Sequence, residues 1–312
     1  MTENDSRDEN IVAYYDLKKA PITFDFCQFI AAASAFARRS GRLMDLVILA
    51  DAYRQRSTRE HTYSLVERRW RIWNLLSDIA EIVPNIERFE IIHRPISDIA
   101  IESYPRGYNP IYNPNIPYQF SHANKLHALG ADVQVFRPTE YAVQAAKCLL
   151  PDTTDPIVSF TLRRAAFEST RDSDLEQWYA FYQALRSKGF QPIIIPDQDD
   201  VLGDRSIHKW DWPVIDAAAM SVNLRLGIYS VTASNYVTNS GLSCVFIYSK
   251  APFIWTKVVV ENSRVATESY FERVGKLKWG EKYPWLQDNQ HMVWEPDTLE
   301  TLLDTINLID VK

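Results

Sequence analysis

No stretch of this sequence is both apolar enough and long enough to cross a bilayer. The most apolar one, residues 30–37, falls far short of the roughly 20 residues a membrane helix needs. The opening MTENDSRDEN is acidic and polar where a secretory signal is basic and then apolar, so the expected compartment is the cytoplasm, with residues 1–10 as a disordered tail. A basic excess is missing as well. The 312-residue chain sets 34 Lys and Arg against 40 Asp and Glu, a net charge of −6, which argues against a generic duplex-DNA binder and a polybasic membrane-surface protein. Cysteine is scarce: Cys27, Cys148 and Cys244 lie far apart in apolar surroundings, which suits reduced buried thiols better than disulfides or a metal knuckle. Histidines lack metal-ligand spacing, His122 and His127 being five apart where a helical zinc pair needs i, i+4. No metal and no cofactor is expected. Neither half opens with G-x-G-x-x-G, and no G-x-x-x-x-G-K-[ST] loop or G-x-S-x-G elbow occurs. Dinucleotide redox chemistry, P-loop phosphotransfer and serine hydrolysis thereby lose their usual support.

What the chain has is alternation. Strand-like runs at 11–15, 43–50 and 88–93 are separated by amphipathic helical stretches at about 23–39 and 63–83, the order of a parallel sheet covered on both faces. A helix at 122–129, a strand at 132–136 and a helix at 139–149 complete the first half. Ahead of them, after the strand at 88–93, SYPRGYNPIYNPNIPYQ (103–119) sets four prolines among four tyrosines, which marks a binding loop or a packed structural one. The polar, proline-bracketed LPDTTDP at 150–156 is the expected domain boundary. After it come a strand at 157–162, a helix at 174–188 capped by Gly189, and strands at 191–195, 228–232 and 245–248. Helices are expected between these last strands, at 216–226 and 236–244, and at 297–308. The fold class is therefore α/β, with two Rossmann-like domains in tandem at 11–152 and 153–312. Neither domain is basic: Lys and Arg number 18 against 19 acidic residues in 1–152, and 16 against 21 in 153–312.

In open α/β sheets ligands bind beyond the carboxyl ends of the strands. Arg163 and Arg164 follow the strand at 157–162, with Glu168, Ser169, Thr170 and Arg171 ahead of the next helix. Guanidinium forks near a helix start make a diphosphate clamp, unless the arginines are a solvated pair in surface salt bridges. Asp197, Asp199 and Asp200 follow 191–195 and suit ribose or base contact, or a turn, better than a hard cation, because no calcium-loop pattern follows. Ser234 and Asn235 follow 228–232, ahead of Thr238, Asn239, Ser240 and Gly241. Small hydroxylated residues at such a corner let backbone approach a phosphate, or simply pack a helix start.

In this order, SFTLRRAAFESTRDSD, IIIPDQDD and IYSVTASNYVTNSGLSCVF resemble the nucleotide-sugar-binding C-terminal domain of GT-B glycosyltransferases, most closely the fucosyltransferase-like branch. The likeness covers about 155–260, and the histidine that opens the arginine motif in that branch is Ser159 or Thr161 here. It implies an interdomain cleft, a nucleotide-diphosphate sugar donor, phosphate contact for Arg163 or Arg164, and nucleoside contact for Asp199, Asp200, Ser234 and Asn235. The N-terminal half then supplies the acceptor site and a catalytic base, for which Asp51, Glu60 and His61 are the candidates. Six arginines between 54 and 71 suit an anionic acceptor or an ordinary solvated helix face. The competing readings are a nucleotide-sugar epimerase or hydrolase on the same fold, and a non-catalytic GT-B-like interaction protein. Trp279, Trp285 and Trp294 suit a homodimer patch or core packing equally.

Overall fold

The computed structural model describes residues 10–50, 63–93, 96, 99–109, 120–165 and 167–310. Two compact units divide the chain, Met1–Arg137 and Pro138–Lys312.

In the first unit β1 (Ile11–Asp16) leads through α1 (Asp25–Arg39) to β2 (Met44–Leu49). The Thr23 hydroxyl accepts the Asp25 N–H at 3.3 Å to start α1, and Arg38 and Arg39 complement its negative end. Alanines and phenylalanines cover most of this helix, so it is buried on nearly all sides. A second helical run follows: α2 (Leu65–Arg71), a π-helical stretch (Ile72–Leu76) and α3 (Ser77–Glu81). Ser64 caps it by accepting the Glu67 N–H at 3.1 Å. Then come β3 (Ile86–Ile92), β4 (Ser103–Tyr104) and α4 (Phe120–Ala128). The four strands are parallel, in the order β3-β2-β1-β4. Residues 132–136 are not the expected strand. The Asp132 carboxylate accepts the Gln134 N–H at 3.0 Å and bends the chain, while Val133, Val135 and Phe136 still fill the core.

The second unit opens with α5 (Glu140–Leu149), whose N-cap Thr139 exchanges hydrogen bonds of 3.1 and 3.0 Å with the Asn223 side chain. That is why the division falls at Arg137 and not within 150–156: α5 is bound to the helix that carries Asn223. The unit continues with β5 (Ile157–Thr161), α6 (Leu175–Ser187), β6 (Gln191–Ile195), α7 (Gln198–Leu202), α8 (Val222–Val231), β7 (Ser234–Val237), α9 (Ser243–Ile247), β8 (Phe253–Trp255), α10 (Glu268–Tyr270), β9 (Gln290–Met292) and α11 (Leu299–Asp304). Its five parallel strands run β6-β5-β7-β8-β9. Pro192 is tolerated because β6 is an edge strand, and Val214 covers that edge beside Ile194.

Two expected strands are helical. Residues 228–232 are mostly the last turn of α8, where β-branched and aromatic residues interleave with Ser230 and Thr232 in a strand-like alternation, and 245–248 lie largely in α9, apolar and buried throughout, which erases the period separating helix from strand. Cys148 is exposed while Cys27 and Cys244 are buried as expected. Trp285 and Trp294 are buried, the latter 5.7 Å ring to ring from Trp279, so the first two serve packing within the unit.

Gly227 in α8 lies against α5 so tightly that a Cβ would stand 2.5 Å from the Ala142 carbonyl oxygen. Gly227→Ala is expected to cost about 1–3 kcal/mol by overpacking, read as a lower urea midpoint at unchanged slope.

Candidate functional site

The strand order places a topological switch point in each sheet, where successive connections part to opposite sides. In the second unit it lies between β5 and β7, and the residues beyond those strands form a charged network. Arg163, directly after Leu162, is 4% exposed. Its guanidinium donates to the carbonyls of Phe167 and Glu168 and pairs with the Asp172 carboxylate. The backbone of Arg163 exchanges hydrogen bonds of 2.9 Å with Ser173, through its hydroxyl and its N–H. Arg163 is thus a clasp that shapes its own loop, and the expectation of phosphate contact passes to its neighbours. Arg164 is about one-third exposed: it donates to Ser206 Oγ at 3.2 Å and approaches Asp172 at 3.9 Å. Arg171 reaches across the switch point to Asn239 Oδ1 at 3.2 Å and pairs with Glu168 at 3.3 Å. Burial and the like charge of Arg163 lower its pKa to about 10.

Two residues here hold left-handed backbone without being glycine. Glu168, φ 51°, accepts the Ser263 hydroxyl at 2.9 Å and the Arg264 N–H at 3.0 Å. Lys257, φ 53°, donates to the Asp172 carbonyl at 2.9 Å and pairs with Asp297 at 3.2 Å, and Asp297 accepts the Trp178 indole N–H at 2.9 Å. Such conformations cost on the order of 1–3 kcal/mol each and cluster at functional sites. Beyond β7 and β8, the buried Ser240 Oγ and Thr256 Oγ1 have no hydrogen-bond partner among the described residues.

Other expected contacts are taken up internally. Ser234 and Asn235 are in β7 itself, not beyond a strand, and both are buried. Asn235 Oδ1 accepts from Ser159 and Thr232, and its Nδ2 donates to the carbonyls of Tyr229 and Pro252, which exhausts its hydrogen-bonding capacity. Asp200, 1% exposed, accepts Ser206 Oγ at 2.6 Å and the Ile207 N–H at 3.3 Å. Asp197 caps α7 by accepting the Gln198 N–H at 2.9 Å; burial pushes its carboxyl up, against the pull of Arg225. Only Asp199 of the three presents an exposed carboxylate. Among the described residues no group of three or more His, Cys, Asp or Glu could hold a metal ion.

In the first unit the switch point lies between β1 and β4. The residue that ends β1, Asp16, is 4% exposed, and the strand-end rule applied to the first strand would have found it in the sequence. It accepts the Lys18 N–H at 2.9 Å and the Tyr108 phenol at 2.8 Å. Burial, then the Asp16 carboxylate, push that phenol well up. Asp51, Glu60 and His61 lie outside the described residues, as do residues 110–119 of the proline-rich loop. Of the described arginines in the basic stretch, Arg68 is buried, Arg71 is tied to Glu67 at 3.3 Å and lies over the Tyr63 ring, and Arg69 is exposed.

No protein-family model matches the sequence, and no curated protein does. Among solved structures, a family 9 glycosyl transferase from Veillonella parvula is 10% identical with a TM-score of 0.53, over 97% of this chain and 90% of that one. The ADP-heptose lps heptosyltransferase II of E. coli is 8% identical with a TM-score of 0.49, over 96% and 98%. The first likeness shows the fold: this is an α/β chain of the GT-B kind.

Arg163→Ala is expected to cost about 3–5 kcal/mol in a denaturant titration, because it strands the half-buried Asp172 without its main partner. Adding Asp172→Asn recovers part of that loss; additive losses would show the pair to be uncoupled. Asp197 has a folded-state pKa above its unfolded value of about 3.9, so the folded state holds the proton more tightly and stability falls as pH rises through that window. Asp197→Asn keeps the helix cap and removes the charge. It is expected to be more stable at neutral pH, with a flatter curve of stability against pH.

Proposed function

We propose that the chain is a glycosyltransferase that moves a sugar from a nucleotide-diphosphate donor to an acceptor hydroxyl. The observation that carries this reading is the arginine-bearing network at the β5/β7 switch point of a GT-B fold, the position where such sheets take ligands. Arg164 and Arg171 contact the diphosphate, while Arg163 holds the loop that presents them. Ser240 and Thr256 offer unspent hydroxyls beside the same strand ends. Asp199 lies nearest the nucleoside, in keeping with the resemblance to the fucosyltransferase-like branch, which rests on the motif order alone.

Transfer to a hydroxyl needs a base that removes its proton as the sugar–phosphate bond breaks. Asp16 ends β1 of the N-terminal unit, and Asp51, Glu60 and His61 follow β2 in the sequence, so that unit supplies the base. Departing diphosphate gains charge that fixed guanidinium groups stabilise without reorganising. No step calls on a metal ion. The clustering of Arg54, Arg56, Arg59 and Arg69 in the sequence suits an anionic acceptor.

Equilibrium titration with ADP, GDP, UDP and CDP tests the donor site. One of them is expected to bind wild type, and Arg164→Ala or Arg171→Ala to weaken it roughly 10- to 150-fold, the worth of a charge-assisted contact. Failure of all four at millimolar concentration would overturn the reading, as would unchanged affinity in both variants.

A further inference from the structure

A guanidinium recognises phosphate through the geometry of its fork, so a partly exposed arginine serves a site only when something aims it. The clasp at Arg163 fixes where the Arg164 backbone stands, but it does not aim the Arg164 side chain. That side chain is 35% exposed and held from its root. Its Nε donates to Ser206 Oγ at 3.2 Å, while Nη1 stands 3.9 Å from Asp172 Oδ2, too far for a hydrogen bond. The terminal nitrogens of Arg164 make no hydrogen bond among the described residues.

The Ser206 hydroxyl is fixed in its turn. Its one proton goes to Asp200 Oδ1 at 2.6 Å, which leaves the oxygen to accept from Arg164, a side chain with no acceptor of its own. Asp200 lies in α7, is 1% exposed, and takes the Ile207 N–H on the same oxygen at 3.3 Å. A hydroxyl that donates to a buried carboxylate accepts more strongly, because successive hydrogen bonds polarise one another. The charges of Arg164 and Asp200 are thus joined through Ser206.

The turn that carries Ser206 is braced on both sides. Asp204 Oδ1 accepts the Ser206 N–H at 3.3 Å. Arg205, at φ 51°, holds the left-handed backbone that residues other than glycine rarely adopt. Its N–H donates to the Asp200 carbonyl at 3.0 Å, and its guanidinium to Asp216 Oδ2 at 2.9 Å. His208 Nε2 meets the other oxygen of Asp216 at 2.8 Å. Strain of this kind gathers at functional sites, and here it fixes the residue ahead of Ser206.

We propose that Ser206, backed by the buried Asp200, is a positioning residue for the diphosphate: it holds Arg164 by Nε and leaves the terminal nitrogens to phosphate oxygens. The proposal rests on the reading of Arg164 as a phosphate contact. It gives Asp200 an indirect part in donor binding in place of a nucleoside contact.

A double-mutant cycle on nucleotide affinity tests it, using whichever of ADP, GDP, UDP and CDP binds wild type. Ser206→Ala should weaken binding roughly 5- to 10-fold, near the worth of one hydrogen bond. In an Arg164→Ala background the same change should move affinity by less than about 2-fold, since the group that Ser206 aims is gone. Asp200→Asn keeps an oxygen for the Ser206 and Ile207 donors while removing the charge. It should weaken binding, lose that effect in the Arg164→Ala background, and carry the test if Ser206→Ala does not fold. Circular dichroism at the titration temperature establishes which variants are folded. Equal losses in both backgrounds would make Ser206 structural and overturn the proposal, as would full affinity in Ser206→Ala beside a loss in Arg164→Ala; either leaves the donor site standing. Binding indifferent to Arg164→Ala overturns it too, by removing the residue that Ser206 serves. Absence of binding by all four nucleotides overturns the donor-site reading and this proposal together.

Discussion

The second unit depends on one buried guanidinium. Arg163 leaves β5 at the point where the sheet's connections part, and its N–H groups have no water to satisfy them. The chain answers by folding the next ten residues back onto it: the carbonyls of Phe167 and Glu168, the Asp172 carboxylate and the Ser173 hydroxyl all close on one residue. The positions of Arg164 and Arg171 hang from that closure. Arg164 and Arg171 have defined positions only because the loop between them cannot unwind without exposing a charge to an apolar core.

Strain tells the same story from the backbone side. Glu168 and Lys257 stand in left-handed conformations that glycine adopts at no steric cost, yet each is a charged residue with several partners. Glycine would relax the backbone and remove the carboxylate that aligns Arg171 or the ammonium that joins Asp172 to Asp297. Side-chain bonding therefore outweighs a backbone cost of a few kcal/mol in both places.

Much of the architecture was legible in the sequence, because strands of a doubly covered sheet read as short apolar runs and the first helices keep their period. β1, β2, β5, β6 and α6 fall within a residue or two of their expected bounds. The reading failed at two helices. The end of α8, Ile228-Tyr229-Ser230-Val231-Thr232, alternates like a strand and α9 is apolar from Val245 onward, so 228–232 and 245–248 read as strands, and the first of these errors displaced Ser234 and Asn235 from a strand end into the strand. The arginine pair was legible as a strand-end feature, but its division of labour was not. Which of two adjacent arginines turns inward is settled by Asp172 and two carbonyls, and no sequence period records a loop that folds back upon itself.

Both units place a buried charge at one equivalent point. Asp16 ends the opening strand of its sheet and Arg163 follows the opening strand of the other, each beside the switch point, and each is 4% exposed. The topology explains the coincidence. An opening strand with neighbours on both sides is sealed along its length, so the first place its chain can meet anything but apolar side chains is its carboxyl end, where the two crossovers diverge. A charge survives there only when the following loop supplies partners, which Tyr108 and the turn at Lys18 do for the carboxylate and the loop from Phe167 to Ser173 does for the guanidinium. On the proposed reading the signs suit the two units: a carboxylate can take a proton from a hydroxyl, and a guanidinium can organise others around a diphosphate. Exchanging the two would leave each loop with partners of the wrong polarity, since three carbonyl and carboxylate oxygens around a carboxylate repel it, while an amide N–H opposes a guanidinium and a lone phenol oxygen gives its several donors a single uncharged acceptor.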